Sequence, residues 1–231
     1  NNNYGGIMSH TLLSEEFIND GFRTFNTDTW KITGDSGPDS ANQQIRLTQG
    51  QADSFGRLVL KKTLINKNLW FTTFSFIIGD TSTTPDGTFA FWFYCDADNV
   101  GYTPQNGYGI EYDFTSDEVR LVEVENGVKS TLDSTSITIE DDTSSDEIIH
   151  NCEVQWRNGM ITAAFDRVNV VQYTFDFAEL DTSNRGLMFS AETGSTNWAE
   201  IFIDNVRMIT PSENILSSAL NNWENDGIFI G

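Results

Sequence analysis

The chain has 231 residues, 38% of them hydrophobic, and only two cysteines, so it can bury a core without disulfides or a structural metal. Its 34 acidic against 13 basic side chains give a net charge of -21, a surface that repels phosphate backbones and anionic headgroups and argues against nucleic-acid partners. No apolar run approaches the ~20 residues of a membrane span, and no basic start followed by an apolar stretch marks a signal peptide.

The segment Asn1 to Gly6 is polar and glycine-rich, and residues 1–10 read as a flexible lead-in. The start at Asn1 without Met suggests a piece of a larger parent protein. From residue 11 to 210 the text is a series of short apolar runs broken by turn residues, the pattern of an all-β domain, and the 13% aromatic content favours strands. Expected strands are Gln44–Thr48, Gly56–Leu60, Phe71–Ile78, Thr88–Cys95, Gly107–Phe114, Val119–Glu125 and Val128–Leu132. Later ones are Cys152–Arg157, Met160–Phe165, Tyr173–Phe177, Gly186–Ala191 and Ala199–Met208.

Two hairpins are explicit. Asn126-Gly127 and Asn158-Gly159 each join two such runs, and Asn-Gly tolerates the positive φ angles of a type I′ turn. In Cys152–Arg157 apolar and polar residues alternate, so one face is buried and the other wet. In Thr88–Cys95 both faces are apolar: Phe89, Phe91, Phe93 and Cys95 alternate with Ala90, Trp92 and Tyr94. Such a strand is central in its sheet. By this alternation Cys95 and Cys152 both point to the core, either as a disulfide across neighbouring strands or as two inert thiols, since a bond needs Cα atoms within about 7 Å. After Pro211, Ile215, Leu216, Ala219, Leu220 and Trp223 follow a helical period, so residues 211–231 are expected to form a short helical tail.

Three segments then carry a resemblance. Asp86-Gly87-Thr88-Phe89-Ala90-Phe91-Trp92 resembles the Asp-Gly-Leu-Ala-Phe-Trp stretch of the L-type lectins. Gly109-Ile110-Glu111-Tyr112-Asp113-Phe114 resembles their Val-Glu-Phe-Asp-Thr strand, and Gly186-Leu187-Met188-Phe189-Ser190-Ala191-Glu192-Thr193-Gly194 their Val-Gly-Phe-Ser-Ala-x-Thr-Gly strand and loop. The closing Trp198–Met208 stretch, with Ile203-Asp204-Asn205-Val206, is similar to laminin G-like modules of the same superfamily. The resemblance implies a two-sheet antiparallel jelly-roll sandwich of the concanavalin A-like type. It also implies a non-catalytic, glycan-binding module that is secreted or surface-displayed, alone, as a homo-oligomer or within a larger chain.

Sugars present hydroxyls around an apolar ring face, so a site needs carboxylate or amide groups and an aromatic face. The candidates are Asp86, Asn106, Tyr108, Asn197 and Trp198, with Asp86 and the Gly194–Trp198 loop expected to converge at one end of the sandwich. Glu111, Asp113 and Asp117 match the first three ligands of the lectin metal site. The fourth ligand position falls near Val122 and no His follows, so at most one calcium is expected, on Asp113 and Asp117 with backbone carbonyls. The alternative is that these are solvated turn residues.

Two other classes share the fold. A structural or adhesion domain of a cell-surface or viral protein needs no site at all. A glycoside hydrolase needs a Glu-x-Asp-x-Glu strand. Here Glu111, Asp113 and Thr115 occupy those places, which leaves Glu111 as a nucleophile without its acid/base.

Overall fold

The computed structural model describes residues 17–61, 68–82, 84–97, 101–139, 148–176, 180–184 and 186–209. The expected lead-in and the expected tail helix lie outside the described residues. Fifteen strands are described: β1 Phe17–Asp20, β2 Trp30–Gly34, β3 Gly37–Asp39, β4 Gln44–Arg46, β5 Phe55–Leu60, β6 Leu69–Thr81, β7 Gly87–Cys95, β8 Gly107–Asp113, β9 Glu118–Glu125, β10 Val128–Ser136, β11 Ile148–Arg157, β12 Met160–Phe165, β13 Val168–Thr174, β14 Gly186–Thr193 and β15 Ala199–Ile209. They form two antiparallel sheets. One has the order β13-β12-β11-β6-β15-β4-β3, with β1 also paired to β15; the other runs β10-β9-β8-β7-β14-β5-β2. This is the expected jelly-roll sandwich.

Alternation builds the core between the sheets. Leu58, Phe89, Phe91, Phe93, Ile110, Leu121, Leu187 and Phe189 of the seven-stranded sheet meet Trp70, Phe74, Phe76, Val154, Trp156, Ile161 and Phe165 of the other. The rings of Trp70 and Trp156 stack at 6.3 Å, and Phe74 meets Phe189 edge-on at 4.9 Å. Each such buried aromatic contributes a few kcal/mol through the water-exposed area it removes, roughly 1.5–3 kcal/mol for a Phe-sized side chain.

Both expected Asn-Gly turns are present, with φ of 53° and 80° at Asn126-Gly127 and 48° and 85° at Asn158-Gly159. A third hairpin, between β12 and β13, uses Asp166 and Arg167 at φ 47° and 69°. The Asp166 carboxylate holds it, accepting from the Asn151 N–H at 2.8 Å and meeting His150 Nδ1 at 2.7 Å. Tyr173–Phe177 is therefore not a separate strand start: β13 begins five residues earlier, at Val168.

The thiol reading needs correction. In β7, Tyr94 adopts φ 49°, and the pairing with β14 skips from Gly186–Cys95 to Leu187–Phe93. This bulge reverses the alternation. Tyr94 turns into the core beside Trp70 and Trp156, while Cys95 emerges on the sheet's opposite face. Cys152 stays in the inter-sheet core, so the sheet separates the two thiols and both are free. Burial raises both thiol pKa values well above the usual range.

Candidate functional site

The outer face of the seven-stranded sheet is not open floor. Trp92 is fully buried there, in a second cluster with Val59, Ala90, Cys95, Val122, Val124 and Met188. Gly109 makes room for it: a Cβ there would sit 2.4 Å from the indole ring. The indole N–H donates to Ser190 Oγ at 2.7 Å. Tyr102, from the loop after β7, closes over this cluster edge-on to Trp92 at 5.8 Å, and its hydroxyl donates to Glu111 Oε2 at 2.9 Å.

Glu111 is therefore sealed, with no exposed surface. Its two oxygens meet Lys129 Nζ at 2.9 and 2.8 Å, and Arg120 Nη1 stands 3.8 Å away. A carboxylate held in this way has no access to a glycosidic bond. The Tyr102 phenol is raised well above its usual pKa, by burial first and by the Glu111 charge second.

At the end of the sheet where β7 begins, three distant stretches meet. The Gly194 N–H donates to the Asp86 carbonyl at 3.2 Å, and the Phe114 N–H donates to the Gly87 carbonyl at 3.1 Å. Thr115 Oγ1 donates to Asp86 Oδ1 at 2.6 Å. Asp86 Oδ2 lies so close to Gly194 that a Cβ there would come within 2.1 Å of it. Gly194 is thus required by close approach. The turn before β5 clamps the same loop: the Asp53 N–H donates to the Gly194 carbonyl, the Thr193 N–H to the Ser54 carbonyl, and the Ser54 N–H to Thr193 Oγ1. Asp35 braces that turn through Ser54 Oγ and the Phe55 N–H.

Asn197 and Trp198 follow on this loop, both half-buried. The Trp198 N–H donates to Ser82 Oγ at 3.0 Å and its carbonyl accepts from the Ser82 N–H at 3.0 Å, which fastens the loop to the segment leading into Asp86. The Trp198 indole nitrogen is buried without a hydrogen-bond partner among the described residues.

Asn106 and Tyr108 do not join this rim. They lie where β8 begins, beside the far end of β7, about 25 Å away at ~3.3 Å per residue along a nine-residue strand. Asn106 is engaged there with Asp96 and with the Asn126 N–H. Tyr108 is 3% exposed, stacks on Phe93 at 5.9 Å and accepts from the Asp181 N–H. Its ring belongs to the inter-sheet core, which corrects its assignment as a sugar-stacking face.

Asp113 and Asp117 flank the rim with separate partners. Asp113 Oδ1 accepts from the Thr115 and Ser116 N–H groups at 2.9 and 3.2 Å, and Oδ2 pairs with Arg120 at 2.8 Å. Asp117, at φ 51° in the tight turn, accepts from the Tyr112 hydroxyl at 2.9 Å. Among the described residues no three His, Cys, Asp or Glu side chains are grouped to hold a metal ion. Sequence reasoning missed Tyr102, Arg120 and Lys129, and the bond from Thr115 to Asp86, which depend on spatial neighbours that no local motif signals.

The sandwich thus brings the Asp86 carboxylate and the Gly194 loop together at one rim. The chain belongs to the legume-like lectin family, whose model matches residues 9–221. It is a non-catalytic carbohydrate-binding protein by that membership, which sets the hydrolase reading aside. Among solved structures it is similar to the carbohydrate recognition domain of Emp47p, at 17% identity and a TM-score of 0.67, covering 88% of this chain and 99% of that one. It is also similar to the Ca2+-bound VIP36 exoplasmic/lumenal domain, at 16% identity and a TM-score of 0.68, covering 85% and 90%. The potassium-bound Emp46p carbohydrate recognition domain matches at 12% identity and a TM-score of 0.66, covering 85% and 97%. No curated protein sequence matches this chain.

Proposed function

We propose that the chain binds mannose-containing glycans at the rim formed by Asp86, Gly194, Asn197 and Trp198. The observation that carries this reading is Asp86: Thr115 holds one carboxylate oxygen, while the other lies against Gly194, whose missing side chain lets the carboxylate sit on the rim. A half-buried carboxylate accepts charge-assisted hydrogen bonds from paired sugar hydroxyls. Asn197 supplies an amide, and the partly exposed Trp198 supplies an apolar ring face. The sugar class follows from VIP36, whose domain is described in Man3GlcNAc-bound and Man2-bound forms.

The domain faces a non-cytosolic space, as the exoplasmic/lumenal domain of VIP36 does. VIP36 is described in both Ca2+-bound and metal-free forms, so calcium is a variable of the test. A glycan array is read with calcium and with chelator, for the wild-type chain and for Asp86→Asn. Wild-type retention of mannose-terminated glycans that Asp86→Asn abolishes is the expected result. Silence of the wild type in both conditions overturns the proposal.

A further inference from the structure

The carboxylates on β8 that would serve a lectin metal site are already neutralised from within the chain. The tight turn after Asp113 returns the chain into β9, which places Arg120 directly opposite Glu111, and Lys129 of β10, level with Val124, reaches the same carboxylate with its long side chain. Arg120 Nη1 meets Asp113 at 2.8 Å, its Nε meets Glu118 at 2.7 Å, and its Nη2 donates to Ser116 Oγ at 2.9 Å. Lys129 Nζ spans both oxygens of the sealed Glu111 and lies 5.8 Å from the Tyr102 ring centre.

We propose that Lys129 and Arg120 replace the metal ion, so that the rim around Asp86 is held in shape without one. The inference rests on the glycan-binding reading of that rim and states how the rim is supported. Two arguments carry it. Calcium needs 6–8 oxygen ligands, whereas both oxygens of Glu111 and both of Asp113 are committed to protein donors. A divalent cation there would also face an ammonium and a guanidinium within contact distance of the same carboxylates, which repel it. A fully buried Glu111 in turn requires a cationic partner, since an isolated buried charge is strongly unfavourable. The support reaches the sugar rim through the 113–116 turn: Asp113 fixes the Thr115 N–H, and Thr115 holds Asp86.

The test uses calcium chloride alone, without sugar, so it is independent of whether the rim binds glycans. The chelator-stripped chain is titrated calorimetrically with calcium, and its Tm is read with calcium and with chelator. Wild type is expected to show no saturable heat and a Tm equal within about 1 °C in both conditions. Lys129→Met is expected to lower Tm by about 5 °C, because it strands a buried carboxylate, and Lys129→Met with Glu111→Gln to recover most of the loss. Saturable calcium uptake by wild type that Asp113→Asn or Glu111→Gln removes would overturn the proposal. So would a Lys129→Met chain of unchanged Tm. The wild-type titration decides the matter even where Lys129→Met fails to fold.

Discussion

The two ends of β7 carry similar polar residues and use them in opposite ways. At the far end Asn106, Asp96 and Asn126 satisfy one another, and Tyr108 is folded into the core with its hydroxyl taken by Asp181. At the near end Asp86 has one oxygen anchored by Thr115, and the absence of a side chain at Gly194 lets the other lie against that loop. In the proposed reading, the difference teaches that the glycan site is marked by polar groups held in place yet left with unused hydrogen-bonding capacity, not by polar residues as such.

That contrast can be broken most directly at Asp86. Asp86→Ala is expected to remove mannose-glycan binding by about 3 kcal/mol, a loss of ~100-fold or more, through loss of a charge-assisted acceptor. Calorimetric affinity measured beside Tm separates this from unfolding. Gly194→Ala comes next: its Cβ would meet Asp86 Oδ2 at 2.1 Å and push the carboxylate aside. A tenfold or larger weakening, about 1.4 kcal/mol, is expected with the fold retained.

The far end should answer in stability alone. Asn106→Ala is expected to lower unfolding free energy by about 1 kcal/mol in denaturant melts, while glycan affinity stays unchanged. A change in affinity there would merge the two ends into one site. The smallest effect is an alkaline one at Tyr108, whose phenol burial pushes up to about 12 from a usual value near 10. A group with a raised folded-state pKa gives stability that is whole below its unfolded value and is lost as pH rises through the folded one. Stability should therefore fall between about pH 10 and 12, and Tyr108→Phe should shallow that slope.

Much of the fold is legible in the sequence. The Asn-Gly hairpins announce their own φ angles, and the doubly apolar β7 can only be a central strand. The β12–β13 hairpin was not legible, because Asp166-Arg167 is no turn signature; its positive φ angles are supported by Asp166 bonding back to β11. The thiols were misread because one bulge residue, Tyr94, reverses a count that is otherwise reliable. On the rim, Asp86 and the Gly194 loop are legible in the sequence, whereas the hold of Thr115 on Asp86 and the ion pairs of Lys129 and Arg120 are not.

By itself the sequence determined the all-β pattern and the course of its central strands, because side-chain alternation and turn chemistry act over a few neighbouring residues, while the sandwich type and the family came from the resemblance of three motifs. Tertiary structure decided which polar residues remain unspent and which cation sits on which carboxylate. Those outcomes depend on strand order and register, which set Glu111 and Arg120 opposite one another and bring Lys129 within reach of the same carboxylate although eighteen positions separate it from Glu111 in the chain.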